Sequence, residues 1–118
     1  MTPGQTATIT RRFEPETLAA FARLTGIDIA TTVPEPLIGA LFSYLLGVEL
    51  PGGGTNYLKQ DLAFLKPVPA DAALIATVEI TRLRPEKHLV DLATTCTDES
   101  GDVVCRGRAL VMVKDAGG

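Results

Sequence analysis

Apolar and polar residues alternate along most of the chain from Thr55 onward. Four segments carry this alternation: TNYLKQDLAFL, ALIATVEITRL, HLVDLATTCT and VVCRGRALVMV. A period of two over such lengths indicates strands with one buried face. The linkers KPVPAD, RPEK and DESGD are too short to hold crossover helices, so we expect the four strands to follow one another as an antiparallel meander.

The residues before Thr55 predict one further strand and two helices. TATITRR, from Thr6 to Arg12, alternates β-branched and polar side chains and reads as a half-buried strand. EPETLAAFARLTG reads as a surface helix, with Pro15 in its first turn and Gly26 as its C-terminal cap. The residues expected on the inner stripe of this helix are Leu18, Phe21, Ala22 and Thr25.

The second helix, from about Glu35 to Gly47, is predicted to be buried. The stretch from Pro36 to Val48 contains no charged residue, and apolar side chains recur all round the helix, which indicates an enclosed position. A strand, a surface helix, a buried helix and four strands make an α+β order. We expect a single hotdog domain spanning residues 1–118, in which an antiparallel sheet wraps around the central helix.

Composition agrees with one globular domain and argues against some partners. The chain has 118 residues, of which 46% are hydrophobic and 21% charged, as is usual for compact proteins. Its net charge of -3 argues against nucleic acid, whose phosphates require clustered Lys and Arg. No signal peptide and no apolar run of about 18 residues is visible, so we expect a cytoplasmic protein without a membrane span.

Two acids near the start of the buried helix, Asp28 and Glu35, are the candidate catalytic groups. Peptide N–H groups at a helix N-terminus favour negative charge, so capping or solvation is the ordinary role of such acids. If either carboxyl transfers protons, burial against the apolar helix would raise its pKa into a useful range. The candidate substrate-binding residues are Leu37, Tyr44, Asn56, Tyr57 and Gln60, of which the polar ones commonly serve as structural hydrogen-bonding groups.

The cysteines, the histidine and the glycine-rich stretch have ordinary interpretations. Cys96 and Cys105 flank the ESGD turn so that a two-residue loop places them directly opposite each other, and we expect reduced thiols in the apolar core. His88, the only histidine, is expected at the surface. PGGGTN follows a helix and precedes a strand, so we expect a flexible turn rather than a phosphate loop. We expect no cofactor, and no metal either, because the two cysteines lack further Cys or His nearby.

The segment LIGALFSYLLGVELPGGGTNYLKQDLAFLKPV resembles the MaoC-like branch of hotdog proteins, the (R)-specific enoyl-CoA hydratases and related dehydratases. The ending GDVVCRGRALVMV resembles that family's Gly-Asp turn and last strand, and FEPETLAAFARLTG resembles its start. The resemblance implies an antiparallel sheet around a central helix and an acyl-thioester substrate in a tunnel at a subunit interface. It also implies a homodimer, or a heterodimer with another hotdog subunit.

The catalytic signature of that family has no match in this chain. After a Ser/Thr-Gly pair the family places D-x-N-P-x-H, an overhanging segment and V-x-H-G-M-L. Here Thr25 and Gly26 are followed by IDIATT and then by VPEPL, so the Asn, the Pro and the catalytic His are missing. Asp28 matches the family's Asp only with a shift of one position. Pro36 stands near the family's Gly-Met pair and has no N–H to offer a thioester carbonyl.

Three functions follow as alternatives. The first is an enzyme of altered chemistry, in which Glu35, with Asp28 or Tyr57, transfers protons on an acyl thioester or a polyketide-like conjugated carbonyl ligand. Such an enzyme would be a lyase, an isomerase or a cyclase. The second is a non-catalytic subunit of a heteromeric enoyl-CoA hydratase. The third is a thioesterase that uses Glu35 to activate water.

Overall fold

The computed structural model of the protein describes residues 1–25, 33–69 and 71–113. The elements in these ranges agree with those predicted from the sequence. The helices are α1 (Pro15–Thr25) and α2 (Glu35–Tyr44), and α2 continues as a π-helical turn over Leu45–Glu49. The strands are β1 (Thr6–Arg12), β2 (Asn56–Phe64), β3 (Ala73–Arg84), β4 (Leu89–Thr97) and β5 (Val103–Met112).

The five strands form one antiparallel sheet in the order β1-β3-β4-β5-β2. β3, β4 and β5 form the expected meander, but the prediction is wrong for β2, which pairs with β5 at the far edge. β1 occupies the place beside β3. The linker after β2 passes the end of the sheet, and its prolines Pro67 and Pro69 lack the N–H groups needed to extend a ladder.

One half of α2 packs against the inner face of the sheet. Ala40, Ser43, Tyr44 and Gly47 are exposed, so the prediction of a helix enclosed on every side is wrong for the single chain. The large apolar residues recur at i, i+1, i+4 and i+5, a spacing that occupies one half of a helix. The buried residues are Ile38, Leu41, Phe42, Leu45 and Leu46, and Leu37 is partly buried beside them.

Helix α1 contacts the rest of the molecule through Leu18, which is buried. Leu24, near the end of the helix, is 86% exposed. The side chains of Phe21, Ala22 and Thr25, predicted to share the inner stripe with Leu18, lie outside the described part of the chain. Within the described part of the chain, the predicted burial of the stripe is therefore confirmed for Leu18.

Candidate active site

A cleft of about 410 Å³ opens beside the first turn of α2. Its walls come from three parts of the chain: the residues before α2, the helix itself, and the end of β2 with the segment that follows it. Glu35 and Lys66 are the charged groups among the described lining residues. The apolar lining includes Val33, Ile38, Phe64 and Val68.

Backbone hydrogen bonds hold this cleft in shape. Pro34 precedes α2 with extended backbone, and its carbonyl accepts the N–H groups of Leu37 at 3.0 Å and Ile38 at 3.4 Å. The N–H of Val33 donates to the carbonyl of Val68 at 2.8 Å, which ties the start of α2 to the segment after β2. Glu35 is exposed in the first turn of the helix, where the helix dipole favours a carboxylate.

Lys66 is held by the hairpin between β4 and β5. Its Nζ lies 2.7 Å from Asp98 and 3.1 Å from Asp102. Hydrogen bonds to Asp98 and then to Asp102 raise the pKa of Lys66, and the hydrogen bond from Lys66 lowers the pKa of Asp98. The lysine therefore stays protonated and is poorly suited to act as a base in the cleft.

Three polar side chains meet between α2 and β2. The Tyr57 hydroxyl donates to Ser43 Oγ at 3.4 Å, and burial raises the pKa of Tyr57, an effect that the hydrogen bond with Ser43 partly offsets. Gln60 Nε2 is buried without a hydrogen-bond partner among the described residues. Tyr44, the neighbour of Ser43 on α2, is 42% exposed.

Asn56 lies apart from the other candidate residues. It pairs with Met112 of β5, and both side chains are exposed. Together with Lys87 and His88 they border a separate depression. Tyr57, the next residue, faces α2 instead, because successive strand residues point to opposite faces.

Glu35 alone of the seven candidate site residues lines the cleft in the described part of the chain. Asp28 lies outside the described residues. Leu37 is partly buried against the core, and Tyr57 and Gln60 belong to the polar cluster beside Ser43. The sequence analysis did not single out Phe64, Lys66 or Val68, although the two prolines in KPVP mark this segment as a constrained, non-ladder connection.

No protein-family model matches the sequence. Among curated proteins, the chain is 35% identical to an (R)-specific enoyl-CoA hydratase of Aeromonas caviae over 92% of each chain. The chain belongs to the MaoC-like hotdog family. It is also 31% identical to a 3-hydroxybutyryl-CoA dehydratase of Methylorubrum extorquens, over 93% of this chain and 79% of that protein.

Solved structures confirm the hotdog fold expected from the sequence. The structure of the (R)-hydratase from A. caviae superposes with a TM-score of 0.90 at 33% identity, covering 96% of this chain and 97% of that one. The unliganded R-hydratase PhaJ1 of Pseudomonas aeruginosa superposes with a TM-score of 0.89 at 29% identity, covering 98% and 83%. The fold class and the family are therefore both confirmed.

Two thiols of this hotdog core face each other, as the sequence predicts. Cys96 of β4 pairs with Cys105 of β5, and both are free and buried. The predicted two-residue loop is wrong, because the register shifts after Cys96 so that Thr97 pairs with Val103, and the N–H of Asp98 donates to the carbonyl of Asp102 at 3.0 Å. Burial raises the pKa of Cys96 to about 12 and that of Cys105 to about 11. The negative charge of Glu35 contributes to the second shift. Neither thiol therefore has the thiolate character that a nucleophile needs near neutral pH.

Residues 1–25, 33–69 and 71–113 contain neither a cluster of metal ligands nor a helix that could span a membrane. No group of three or more His, Cys, Asp or Glu side chains there could hold a metal ion. No helix in these ranges is long and apolar enough to cross a membrane.

Proposed function

We propose that this MaoC-like protein binds an acyl thioester or a polyketide-like conjugated carbonyl compound in the cleft beside α2. Glu35 is proposed to transfer a proton to or from the bound ligand. The proposal rests on the position of Glu35, which is exposed at the first turn of α2 and lines a cleft with apolar walls. A carboxylate in contact with such a ligand can act as a general acid or base.

The proton transfers that each candidate reaction requires show which reactions this cleft could catalyse. Hydration of an enoyl thioester needs one group to activate water and another to protonate the α-carbon. Lys66, the other charged group in the described cleft wall, is engaged by Asp98 and Asp102. A single carboxylate is enough for isomerisation, because it can remove a proton from one carbon and return it to another. An isomerase, a cyclase or a lyase without added water therefore fits this cleft better than an ordinary hydratase.

A non-catalytic subunit is the second candidate function. It is favoured by the exposure of Glu35, since a general base in an open cleft lacks the burial that tunes catalytic carboxyls. In this role the chain would contribute a wall of the substrate tunnel to another hotdog subunit that carries the acid and the base. Asp28 remains a candidate contributor to either function.

Glu35→Gln tests the enzymatic proposal. The substitution keeps size and polarity but removes the carboxylate, so isomerisation or lyase turnover of conjugated acyl substrates should fall by about a hundredfold or more. Glu16→Gln is the matched control, because Glu16 is also exposed in the first turn of a helix but lies on α1. Glu16→Gln should keep full activity.

The outcomes separate the two functions. Equal turnover by the wild type and Glu35→Gln would show that Glu35 is not the proton-transfer group. If the wild type turns over no substrate alone but accelerates a catalytically complete hotdog subunit, and Glu35→Gln does the same, the chain is a non-catalytic subunit.

A further inference from the structure

We propose that the depression bordered by Lys87 and His88 binds the nucleotide end of a CoA thioester whose acyl group lies in the cleft beside α2 of a second copy of the chain. The complete substrate site then comes from two subunits. One subunit supplies Glu35 and the cleft, and the other supplies the contacts to the phosphates and the adenine. This inference rests on the proposed function and deepens it.

The depression has a volume of about 450 Å³ and lies where β2 begins and β5 ends. Its apolar lining comes from Met112 and Val113. Lys87 and His88 border it with an ammonium group and an imidazole, and both residues are exposed. None of the described lining residues is Asp or Glu, although Glu86 precedes Lys87 in the chain. An apolar floor with a basic rim suits an aromatic heterocycle that carries phosphate groups.

Backbone hydrogen bonds hold the residues of this depression in place. His88 has left-handed backbone, with φ of 58° and ψ of 34°, and its N–H donates to the carbonyl of Pro85 at 3.1 Å. Its carbonyl accepts the N–H of Val113 at 2.9 Å, which ties the turn after β3 to the end of β5. Asn56 pairs with Met112, and its amide offers both a donor and an acceptor to a purine edge.

The free edge of β2 brings this depression to a second copy of the chain. β2 is an edge strand, and Leu58 on it is 52% exposed. Homodimers usually have two-fold symmetry, and an edge strand that meets its own copy across a two-fold axis pairs antiparallel. With the axis at Gln60, the middle of β2, Asn56 of one copy lies opposite Phe64 of the other. Because Phe64 lines the cleft, the depression of each copy lies beside the cleft of the other.

The spacing of the strands fits the length of the ligand. β5 and β4 follow β2 in the sheet, and Met112 of β5 pairs with Leu89, the neighbour of His88. His88 of one copy is therefore three strand spacings from Phe64 of the other, or roughly 14 Å. An extended pantetheine arm separates the thioester of CoA from its diphosphate by a comparable length. The acyl group can then lie in the cleft of one copy while the phosphates reach the depression of the other.

Crotonyl-CoA and crotonyl-pantetheine share one acyl group and differ in the nucleotide, so their titration into the purified full chain by calorimetry tests the depression. The variant with Lys87→Gln and His88→Asn removes the basic groups, and asparagine tolerates the left-handed backbone at position 88. This variant should bind crotonyl-CoA about tenfold more weakly than the wild type and crotonyl-pantetheine equally well. Arg11→Gln, which removes an exposed charge from β1 at the opposite edge of the sheet, is the control and should change neither affinity.

A mixed dimer tests whether the two parts of the site come from different subunits. One subunit carries Glu35→Gln, and the other carries Lys87→Gln with His88→Asn, each with its own affinity tag. In this dimer the intact Glu35 of one subunit meets the intact Lys87 and His88 of the other at one of the two sites. At a CoA thioester concentration below KM, the mixed dimer should therefore recover about half of the wild-type turnover, whereas both variant homodimers stay well below it.

Unchanged crotonyl-CoA affinity in the variant with Lys87→Gln and His88→Asn would overturn the inference and leave the proposed function intact. Weaker binding by Arg106→Gln but not by that variant would also overturn it, because the exposed Arg106 of β5 pairs with Ala63 near the end of β2 of the same chain. A mixed dimer no more active than the two variant homodimers would show that the cleft and the depression do not combine across subunits. If neither thioester binds the wild type, the proposed function itself fails, and the inference fails with it.

Discussion

At the scale of single residues, Cys96 and Cys105 show how position controls reactivity. They are direct partners across β4 and β5, and both are fully buried. Burial disfavours the charged thiolate, which is why both pKa values lie above the ordinary value of 9.0. These thiols are therefore packing groups at neutral pH.

The raised pKa values predict a loss of stability at alkaline pH. An unfolded thiol releases its proton near pH 9, whereas the folded thiols hold theirs to about 12 and about 11. Between these values the native state binds more protons, so the free energy of unfolding should fall as pH rises above 9 and be insensitive to these thiols below it. Urea unfolding at several pH values measures this effect.

The variant with both Cys96→Ala and Cys105→Ala is the control for the alkaline effect. Tyrosine and lysine titrations are common to both proteins, so the difference in slope isolates the thiols. The variant should lose stability less steeply above pH 9. Identical slopes for the two proteins would contradict the raised thiol pKa values.

At the scale of elements, β2 and β5 approach each other unusually closely at Gly107. Gly107 pairs with Leu62 of β2. A Cβ atom added to Gly107 would overlap the backbone carbonyl of Asp61 and crowd the Cα of Leu62. Backbone atoms cannot yield by a rotamer change, so this position requires glycine.

Gly107→Ala should therefore destabilise the protein by about 2–3 kcal/mol or more, because the two strands must separate to admit the methyl group. Gly53→Ala is the matched control, since a Cβ at Gly53 meets nothing within 4 Å. Thermal and urea unfolding measure both variants. Equal stability of Gly107→Ala and Gly53→Ala would show that β2 and β5 are farther apart than described.

The apolar pattern of helix α2 predicts that the helix is buried but does not predict which of its faces is covered. Ile38, Leu41 and Phe42 are buried against the sheet, whereas Tyr44 is 42% exposed. Gly39 of α2 lies next to Leu62 of β2, since an added Cβ at Gly39 would be 3.9 Å from a Leu62 methyl, an ordinary van der Waals contact. The helix thus has one face bound to its own sheet and one face open.

At the scale of the whole molecule, the open face of α2 lies beside an unpaired sheet edge. β2 is an edge strand, and Tyr57 and Leu58 on it are 39% and 52% exposed. Tyr44 and Val48, on α2 and its continuation, are also exposed. Unpaired edges and apolar patches are commonly covered by association. We expect a homodimer, or a heterodimer with another hotdog subunit, to cover this surface.

Tyr44→Glu should dissociate such an assembly, because it introduces a charge into an apolar contact. Native mass spectrometry of the purified chain should report two subunits for the wild type and one for the variant. Leu24→Glu is the control, since Leu24 is 86% exposed on α1 and should leave the assembly unchanged. A wild type that is monomeric at micromolar concentration and gains no partner from other hotdog subunits would refute this expectation.

Some of the site could be predicted from local pattern and some could not. Glu35 was a candidate because a charged residue opens an otherwise apolar helix, and the structure places it at the cleft. Phe64, Lys66 and Val68 were not candidates, because their place beside α2 depends on where the chain crosses after β2. Asn56 and Tyr57, adjacent in sequence, lie on opposite faces because strand geometry alternates.

Local patterns in the sequence are sufficient to predict the type and order of the elements, and that Cys96 lies opposite Cys105, although the turn between these cysteines is not the two-residue loop expected. These features depend on residues that are close along the chain, such as alternating side chains and a short hairpin turn. The pairing of β2 with β5 and the exposure of half of α2 follow from the tertiary structure and not from the local pattern. Only the tertiary structure likewise set Glu35 beside Phe64 and Val68. Those features arise from contacts between distant segments, whose free energy depends on how whole elements pack and not on any local pattern.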